Sequence, residues 1–86
     1  MVKVDWSKKA VKQLLSIDIR YRKAISEKVN KLTNFPAIDL DIKKLQVGDN
    51  QYRMRVGNYR VIFLIVEGTP VICTIQEVKR RTTTTY

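Results

Sequence analysis

The sequence predicts a single α+β domain in which a two-helix hairpin packs on one face of a curved, mainly antiparallel sheet. Three observations support this. A short strand pattern opens the chain, two segments with helical spacing follow, and the second half alternates strand patterns with turn signals. A β-α-α order followed by a run of strands is typical of helices on one face of an antiparallel sheet. The 86 residues suit one domain over 1–86 with a modest core.

The first two elements are a strand and a helix. Apolar and charged residues alternate from Lys3 to Trp6, which predicts a strand. Ser7 follows as an N-cap, because its hydroxyl can accept a hydrogen bond from a free backbone N–H group of the first helical turn. The first helix then carries an apolar stripe at helical spacing, made of Ala10, Val11, Leu14 and Leu15.

A second helix is predicted from about Ile19 to Asn34, with Ser16 or Asp18 as its cap. Its apolar stripe consists of Tyr21, Ile25, Val29 and Leu32. Pro36 ends the helical segment, since proline restrains the residue before it and lacks a backbone N–H group. The short link between the two helices predicts an antiparallel helical hairpin.

The stretch Gln51 to Val66 is predicted to form a β-hairpin. Its first half alternates apolar and polar residues, its second half is rich in β-branched and aromatic residues, and Gly57-Asn58 lies between them as a tight turn. A two-residue turn places Arg55 opposite Arg60.

Two further strands flank this hairpin in the prediction. One begins at Ile42-Lys43-Lys44-Leu45, and the last runs from Val71 to Val78 after a four-residue loop. That loop length pairs Arg60 with Glu77, which would give the guanidinium a neighbouring carboxylate. A shift of the pairing by one residue would reverse the faces.

The predicted hairpin collects three arginines on one face. Arg53 and Arg55 share a face because side chains alternate along a strand, and Arg60 lies across from Arg55. Like charges across a strand pair are unfavourable, so folding alone gives no reason for the arrangement. A bound polyanion would give one, since the guanidinium fork fits phosphate in a bidentate way. The alternative is a solvated, basic outer face.

Charge is the strongest global signal. The chain has 17 basic and 8 acidic residues, a net charge of +9 and a pI near 10.0. Such a balance favours a nucleic acid or an acidic protein as partner, through counterion release and long-range steering. A basic RNA- or protein-binding module therefore remains an alternative to any enzyme.

Composition excludes several kinds of chemistry. The chain has no histidine, so a ribonuclease mechanism with paired histidines is excluded. The acidic residues show no metal-ligand spacing, and no metal or cofactor is expected. Cys73 is the single cysteine and lies in an apolar run, which predicts a buried thiol. No apolar run is long enough to span a membrane and the opening residues are too polar for a secretory signal, so we expect a cytoplasmic protein.

The sequence resembles the RelE/ParE toxin superfamily of toxin–antitoxin systems, and more specifically its RelE branch, over essentially the whole chain. The resemblance is carried by the helical pair, Lys44-Leu45, Gln51-Tyr52-Arg53-Met54-Arg55, Gly57-Asn58-Tyr59-Arg60-Val61, and Lys79-Arg80 with Tyr86 six residues beyond. The Gly-x-Tyr-Arg element is shared across the superfamily and marks the fold. Basic residues at 53 and 55, together with Arg80 and Tyr86, are narrower and indicate a nuclease.

The resemblance implies a ribosome-dependent endoribonuclease that cuts mRNA in the A site without a metal. In that reaction the ribose 2′-hydroxyl attacks the adjacent phosphate and leaves a cyclic phosphate and a free 5′-hydroxyl. The implied partners are the 70S ribosome with its 16S rRNA, mRNA, and a cognate acidic antitoxin that covers or displaces the basic face.

The resemblance also implies roles for single residues. Arg60 would clamp the scissile phosphate, Arg80 would stabilise or protonate the departing oxygen, and Tyr86 would stack on the flanking base and take the 2′-proton. The remaining implied RNA contacts are Arg53, Arg55, Lys79, Arg81 and Lys44.

The group that accepts the 2′-proton is not determined, because this sequence differs from the best-known family members at two positions. Arg53 and Arg55 occupy positions where the best-known members carry lysines, and an arginine is effectively always protonated. The acceptor would then be Tyr86, Lys79 or ribosomal RNA, while the arginines stabilise the negative charge of the transition state. A cluster of all four arginines, with Arg80 included, would lower the pKa of a nearby phenol.

A ParE-like protein that inhibits DNA gyrase without cutting RNA is the second reading. Such members share the fold but usually lack the catalytic basic and aromatic set.

Overall fold

A computed structural model describes residues 2–46 and 50–80 of the chain. Its elements are β1 (Val2–Trp6), α1 (Lys8–Leu15), α2 (Ile19–Asn30), a 3-10 helix (Lys31–Asn34), β2 (Ile42–Lys44), β3 (Gln51–Val56), β4 (Tyr59–Val66) and β5 (Val71–Arg80). The strands form one sheet in the order β1-β5-β4-β3-β2, antiparallel except for the parallel pair β1–β5. The predicted α+β class is confirmed. None of the described helices is long and apolar enough to cross a membrane.

Helix α1 begins where β1 leaves the edge of β5. The Ser7 hydroxyl accepts a hydrogen bond from the Ala10 N–H group at 3.0 Å, so the predicted N-cap is confirmed. The same hydroxyl donates to the carbonyl of Gln76 at 3.1 Å. Further along the helix, the Gln13 side-chain oxygen accepts from the Val78 N–H group at 2.7 Å. The side chains of the cap residue Ser7 and of Gln13 on α1 thus take the backbone hydrogen bonds that a strand beside β5 would otherwise make.

The second helix is shorter than predicted. Asp18, one of the two expected caps, accepts a hydrogen bond from the Arg20 N–H group at 2.9 Å. The α-helix ends at Asn30, and the chain continues to Asn34 as a 3-10 helix. There the Thr33 hydroxyl donates to the Asn30 carbonyl at 3.1 Å, a local bond of the kind that competes with regular helix geometry.

The apolar stripe predicted for the second helix, which α2 and the 3-10 helix share, faces the core more fully than that of α1. Ile25, Val29 and Leu32 are completely buried, although Tyr21 is 46% exposed. On α1 only Ala10 is buried, and Leu14 packs against the core. The expected burial of the α1 stripe is wrong for two members, since Val11 is 38% and Leu15 is 59% exposed. Helix α1 packs against β5, whose far end extends beyond its pairing with β1, so a narrower part of the helix surface is covered.

The β3–β4 hairpin has the predicted register, with Val56 opposite Tyr59 and Arg55 opposite Arg60. Gly57, the first turn residue, has φ +56°, a backbone conformation that glycine adopts without steric cost.

The predicted pairing of β4 with β5 is wrong. Arg60 lies opposite Lys79 and not opposite Glu77, which pairs with Ile62. Two causes combine. The loop before β5 pairs Val66 with Ile72, and a bulge then shifts the register between Ile62 and Phe63. A bulge adds one residue to one strand and so shifts the pairing beyond it by one position. No residue pattern in β5 predicts this bulge.

A core variant tests the packing of α2. Ile25→Ala should lower the free energy of unfolding by about 2–5 kcal/mol, because it leaves a cavity under a completely buried side chain. Ile19→Ala on the same helix is the matched control. Its side chain is 71% exposed, so the loss should stay below about 0.5 kcal/mol. Urea unfolding measures both, and equal losses would contradict this packing.

Candidate functional site

The arginines of the hairpin line one cleft on the face of the sheet away from the helices. We call it the basic cleft; it has a volume of about 460 Å³. Its lining residues are Lys43, Lys44, Leu45, Gln46, Arg53, Arg55 and Arg60. The apolar residues that alternate with the arginines on β3, Met54 and Val56, are buried on the other face. The structure therefore brings Arg53, Arg55 and Arg60 together, and Lys44 with them.

Strand β2 supplies a cation that the sequence reasoning missed. Lys43 lies directly opposite Arg53 in the antiparallel β2–β3 pair and lines the basic cleft. Side chains directly opposite one another on a sheet face are close enough to act on a common ligand. The signal that could have found Lys43 is the register of β2, which a strand of three residues does not specify by its own pattern.

An acidic residue beside the basic cleft was also missed. The Asp41 carboxylate lies 3.9 Å from Arg53 Nη1 and 3.8 Å from Arg55 Nε. The Arg55 N–H group donates to the Asp41 carbonyl at 2.9 Å, which ties this loop residue to β3. Asp41 lies just before β2, in a connector without periodicity. The local sequence therefore gives no signal that Asp41 lies near the arginines.

The three guanidinium groups differ in their surroundings. The Arg53 side chain is 12% exposed, against 41% for Arg55. Arg53 Nη1 is buried without a hydrogen-bond partner in the part of the chain that the structure describes. Arg60 is exposed, and among the described residues it makes no ion pair. Guanidinium donors without acceptors in a positively charged cleft suit an anion with several oxygens.

Strand β5 extends the basic surface through Lys79, which lies opposite Arg60. The Lys79 ammonium is 3.5 Å from Glu77, and Lys9 of α1 holds the same carboxylate at 2.8 Å. The hydrogen bond from Lys9, followed by the positive charge of Lys79, holds the pKa of Glu77 below its usual value. Glu77 is thus occupied by two lysines and does not orient Arg60 as the predicted register required.

Arg80 does not join the basic cleft. It lies opposite Tyr59 and lines a separate cleft of about 530 Å³ with residues of both helices, among them Gln13 and Arg20, and with the cap residue Asp18. Consecutive residues of a strand point to opposite faces, so Lys79 and Arg80 diverge. The prediction that four arginines cluster is wrong for Arg80. The catalytic role of Arg80 stays a prediction.

Two residues named in the sequence analysis, Arg81 and Tyr86, lie outside the described residues, and their roles stay predictions. Elsewhere in the described ranges, no group of three or more His, Cys, Asp or Glu side chains is placed to hold a metal ion. Burial raises the pKa of the Cys73 thiol to about 12, so the thiol is protonated at neutral pH and unsuited to act as a nucleophile.

Comparisons with known proteins place the chain among toxins. Residues 4–83 match the family model described as the ParE toxin of type II toxin–antitoxin system, parDE. Toxin RelE3 of Methanocaldococcus jannaschii is 38% identical over 63 residues, which are 70% of this chain and 72% of that protein.

Solved structures similar to this chain include RelE chains from two archaea. The archaeal RelE–RelB complex from Pyrococcus horikoshii has a chain that is 28% identical, with a TM-score of 0.78 and coverage of 96% of this chain and 98% of that chain. The RelB–RelE antitoxin–toxin complex from Methanococcus jannaschii has a chain that is 32% identical, with a TM-score of 0.69 and coverage of 88% of each chain.

The depressed pKa of Glu77 makes a prediction about acid stability. Its ion pairs stabilise the fold fully above the ordinary glutamate pKa of 4.5, and this contribution is lost as the pH falls through the lower folded-state value. Glu77→Gln should therefore lower the free energy of unfolding at neutral pH, by less than about 1 kcal/mol because both lysines are exposed. In acid below the folded-state pKa the variant and the parent should converge.

Glu67→Gln is the control, because Glu67 is exposed and makes no ion pair among the described residues. Urea unfolding at neutral and acid pH measures the difference. A Glu77→Gln deficit that persists in strong acid would show that the ion pairs are not its source.

Proposed function

The chain belongs to the RelE/ParE superfamily of toxins from type II toxin–antitoxin systems, and from this premise we propose that it is a ribosome-dependent mRNA endoribonuclease of the RelE type. The observation that carries the proposal is the basic cleft, where cations from β2, β3 and β4 line one site of about 460 Å³. The identity with a protein named Toxin RelE3 supports the RelE branch.

The proposed reaction is a transesterification within the RNA. The ribose 2′-oxygen attacks the adjacent phosphorus, the bond from phosphorus to the 5′-oxygen breaks, and the products are a cyclic phosphate and a free 5′-hydroxyl. The 2′-proton passes to Tyr86 as the phenolate, to Lys79 as the uncharged amine, or to a group of the ribosomal RNA, and the departing 5′-oxygen takes up a proton from water or a protonated side chain. No electron transfer and no metal ion enter this balance.

Within that reaction Arg60 binds the scissile phosphate. It is exposed at the basic cleft and has a cation on each neighbouring strand, Arg55 on β3 and Lys79 on β5. Positive charge concentrated in this way stabilises the pentacoordinate phosphate more than the ground state, because negative charge accumulates on its oxygens. Arg53 and Arg55 contribute in the same way, and the proposal does not depend on Arg80.

We further propose that the protein is neutralised by an acidic antitoxin, consistent with the net charge of +9. RelE chains of two archaeal relatives were solved in complexes with RelB. The helical hairpin of this chain exposes apolar side chains that suit a protein partner, namely Val11, Leu15, Ile19 and Tyr21.

Substitution at Arg60 tests the nuclease proposal. Arg60→Ala should lower the rate of mRNA cleavage by roughly 10²–10³-fold, the loss typical of removing one charge-stabilising group. Arg20→Ala is the matched control, since it removes the same charge from an exposed site on α2 and should cleave as the parent does. Primer extension on translating ribosomes measures both rates.

The second candidate function is inhibition of DNA gyrase without RNA cleavage. The description of the matching family as ParE toxins and the position of Arg80 outside the basic cleft favour it. Parent protein that leaves mRNA intact on ribosomes but blocks supercoiling by purified gyrase would replace the nuclease proposal with this one.

Expression in a bacterial host tests toxicity itself. Growth should arrest on induction and recover when the neighbouring open reading frame, encoding the acidic partner, is expressed with it. Growth that continues at high levels of folded protein would favour the basic binding module without toxicity. Plating efficiency, read beside a blot for the protein, distinguishes these outcomes.

A further inference from the structure

Asp41 is an acidic side chain in the middle of a positively charged surface, and neither the proposed reaction nor the fold explains it. Its carboxylate faces both arginines of β3, at 3.9 Å from Arg53 Nη1 and 3.8 Å from Arg55 Nε. Arg53 and Arg55 are two positions apart on one strand, so their Cα atoms are about 6.6–6.8 Å apart and one carboxylate between them can attract both.

The position of Asp41 is fixed by the backbone. Its carbonyl accepts the Arg55 N–H group at 2.9 Å, and the next residue, Ile42, pairs with Met54 at the start of β2. The carboxylate is therefore anchored to the same strand as the two guanidinium groups. Its place does not depend on a free loop.

The distances from Asp41 to Arg53 and Arg55 indicate electrostatic attraction without hydrogen bonds. A charge-assisted hydrogen bond between guanidinium and carboxylate has a length of about 2.7–2.9 Å, and both contacts are longer. At that separation the carboxylate attracts the guanidinium groups but leaves their N–H donors for another acceptor. Arg53 Nη1 accordingly has no hydrogen-bond partner among the described residues, although it is buried.

Stability is a weak explanation for this contact. The side chains of Asp41 and Arg55 are 57% and 41% exposed, and an exposed ion pair contributes little to the free energy of unfolding. Arg53 is only 12% exposed, but its contact with Asp41 is 3.9 Å long and includes no hydrogen bond to Nη1. Arg53 and Arg55 also repel each other, Arg60 and Lys43, so without a nearby negative charge their side chains would spread into solvent.

We propose that Asp41 is a positioning residue that holds Arg53 and Arg55 over the basic cleft with their donors free for a phosphodiester. The identity of the ligand rests on the proposed nuclease function; the ordering of the two arginines does not. Asp41 acts through the guanidinium groups and does not contact the reacting atoms.

Asp41→Asn tests the inference, with Asp39→Asn as matched control. Asp39 is exposed in the same connector and makes no ion pair in residues 2–46 and 50–80, so its replacement changes net charge equally. Cleavage is measured against the concentration of ribosome–mRNA complex. We expect Asp41→Asn to lower kcat about tenfold, because Arg53 and Arg55 are no longer held in place. KM should stay unchanged or fall, because the loss of one negative charge strengthens the attraction to RNA. Asp39→Asn should keep the parental kcat.

Nuclear magnetic resonance supplies a readout that needs no cleavage. The Nε–Hε signal of Arg55 should report an ordered side chain in the parent and in Asp39→Asn, and a mobile one in Asp41→Asn. Inorganic phosphate should shift that signal in the parent and less in Asp41→Asn. Unchanged thermal unfolding midpoints would show that both variants fold.

Each outcome decides the matter. An Asp41→Asn protein whose Arg55 stays ordered, or whose kcat equals that of Asp39→Asn, overturns the inference. A kcat above that of Asp39→Asn also overturns it, because Asp41 would then compete with the phosphate. A parent that cuts no RNA overturns the proposed function alone, and the resonance measurements still decide the role of Asp41.

Discussion

The pairing of Arg55 with Arg60 across the β3–β4 hairpin is the constraint on which the functional surface depends. Their register follows from the two-residue turn at Gly57, whose positive φ closes the hairpin. Two guanidinium groups placed opposite each other oppose folding, so the hairpin must be held by its other face. Packing of apolar side chains on that face stabilises the hairpin. The completely buried ones are Met54, Val61 and Phe63.

The sheet thus separates two tasks by the alternation of side chains. One face buries apolar residues against α2, and the other carries the basic cleft. Carboxylates stand at two borders of the charged face. Asp41 borders Arg53 and Arg55, while Glu77 is held by Lys9 and Lys79. Between these borders Arg60 has no ion pair among the described residues, which suits it to an incoming phosphate.

The same alternation divides the end of β5. Lys79 continues the row of cations beyond Arg60, whereas Arg80 turns toward the helices and a second cleft beside Asp18. A mechanism built on the basic cleft therefore draws its positive charge from β2, β3 and β4, with Lys79 at the margin. Members of one toxin family can share this scaffold and differ in action, since fold alone does not determine function.

The sequence by itself determined what local patterns encode: the α+β class, the Ser7 cap, the Gly57 turn and the shared face of Arg53, Arg55 and Arg60. These depend on periodicity and on turn chemistry, which act between near neighbours. Tertiary structure alone decided the bulge that moves Lys79 opposite Arg60, the exposure of Leu15 on an edge helix, and the approach of Lys43 and Asp41 to the arginines. Those features depend on which strands meet and in what register, and residues distant in sequence carry no local signal of that meeting.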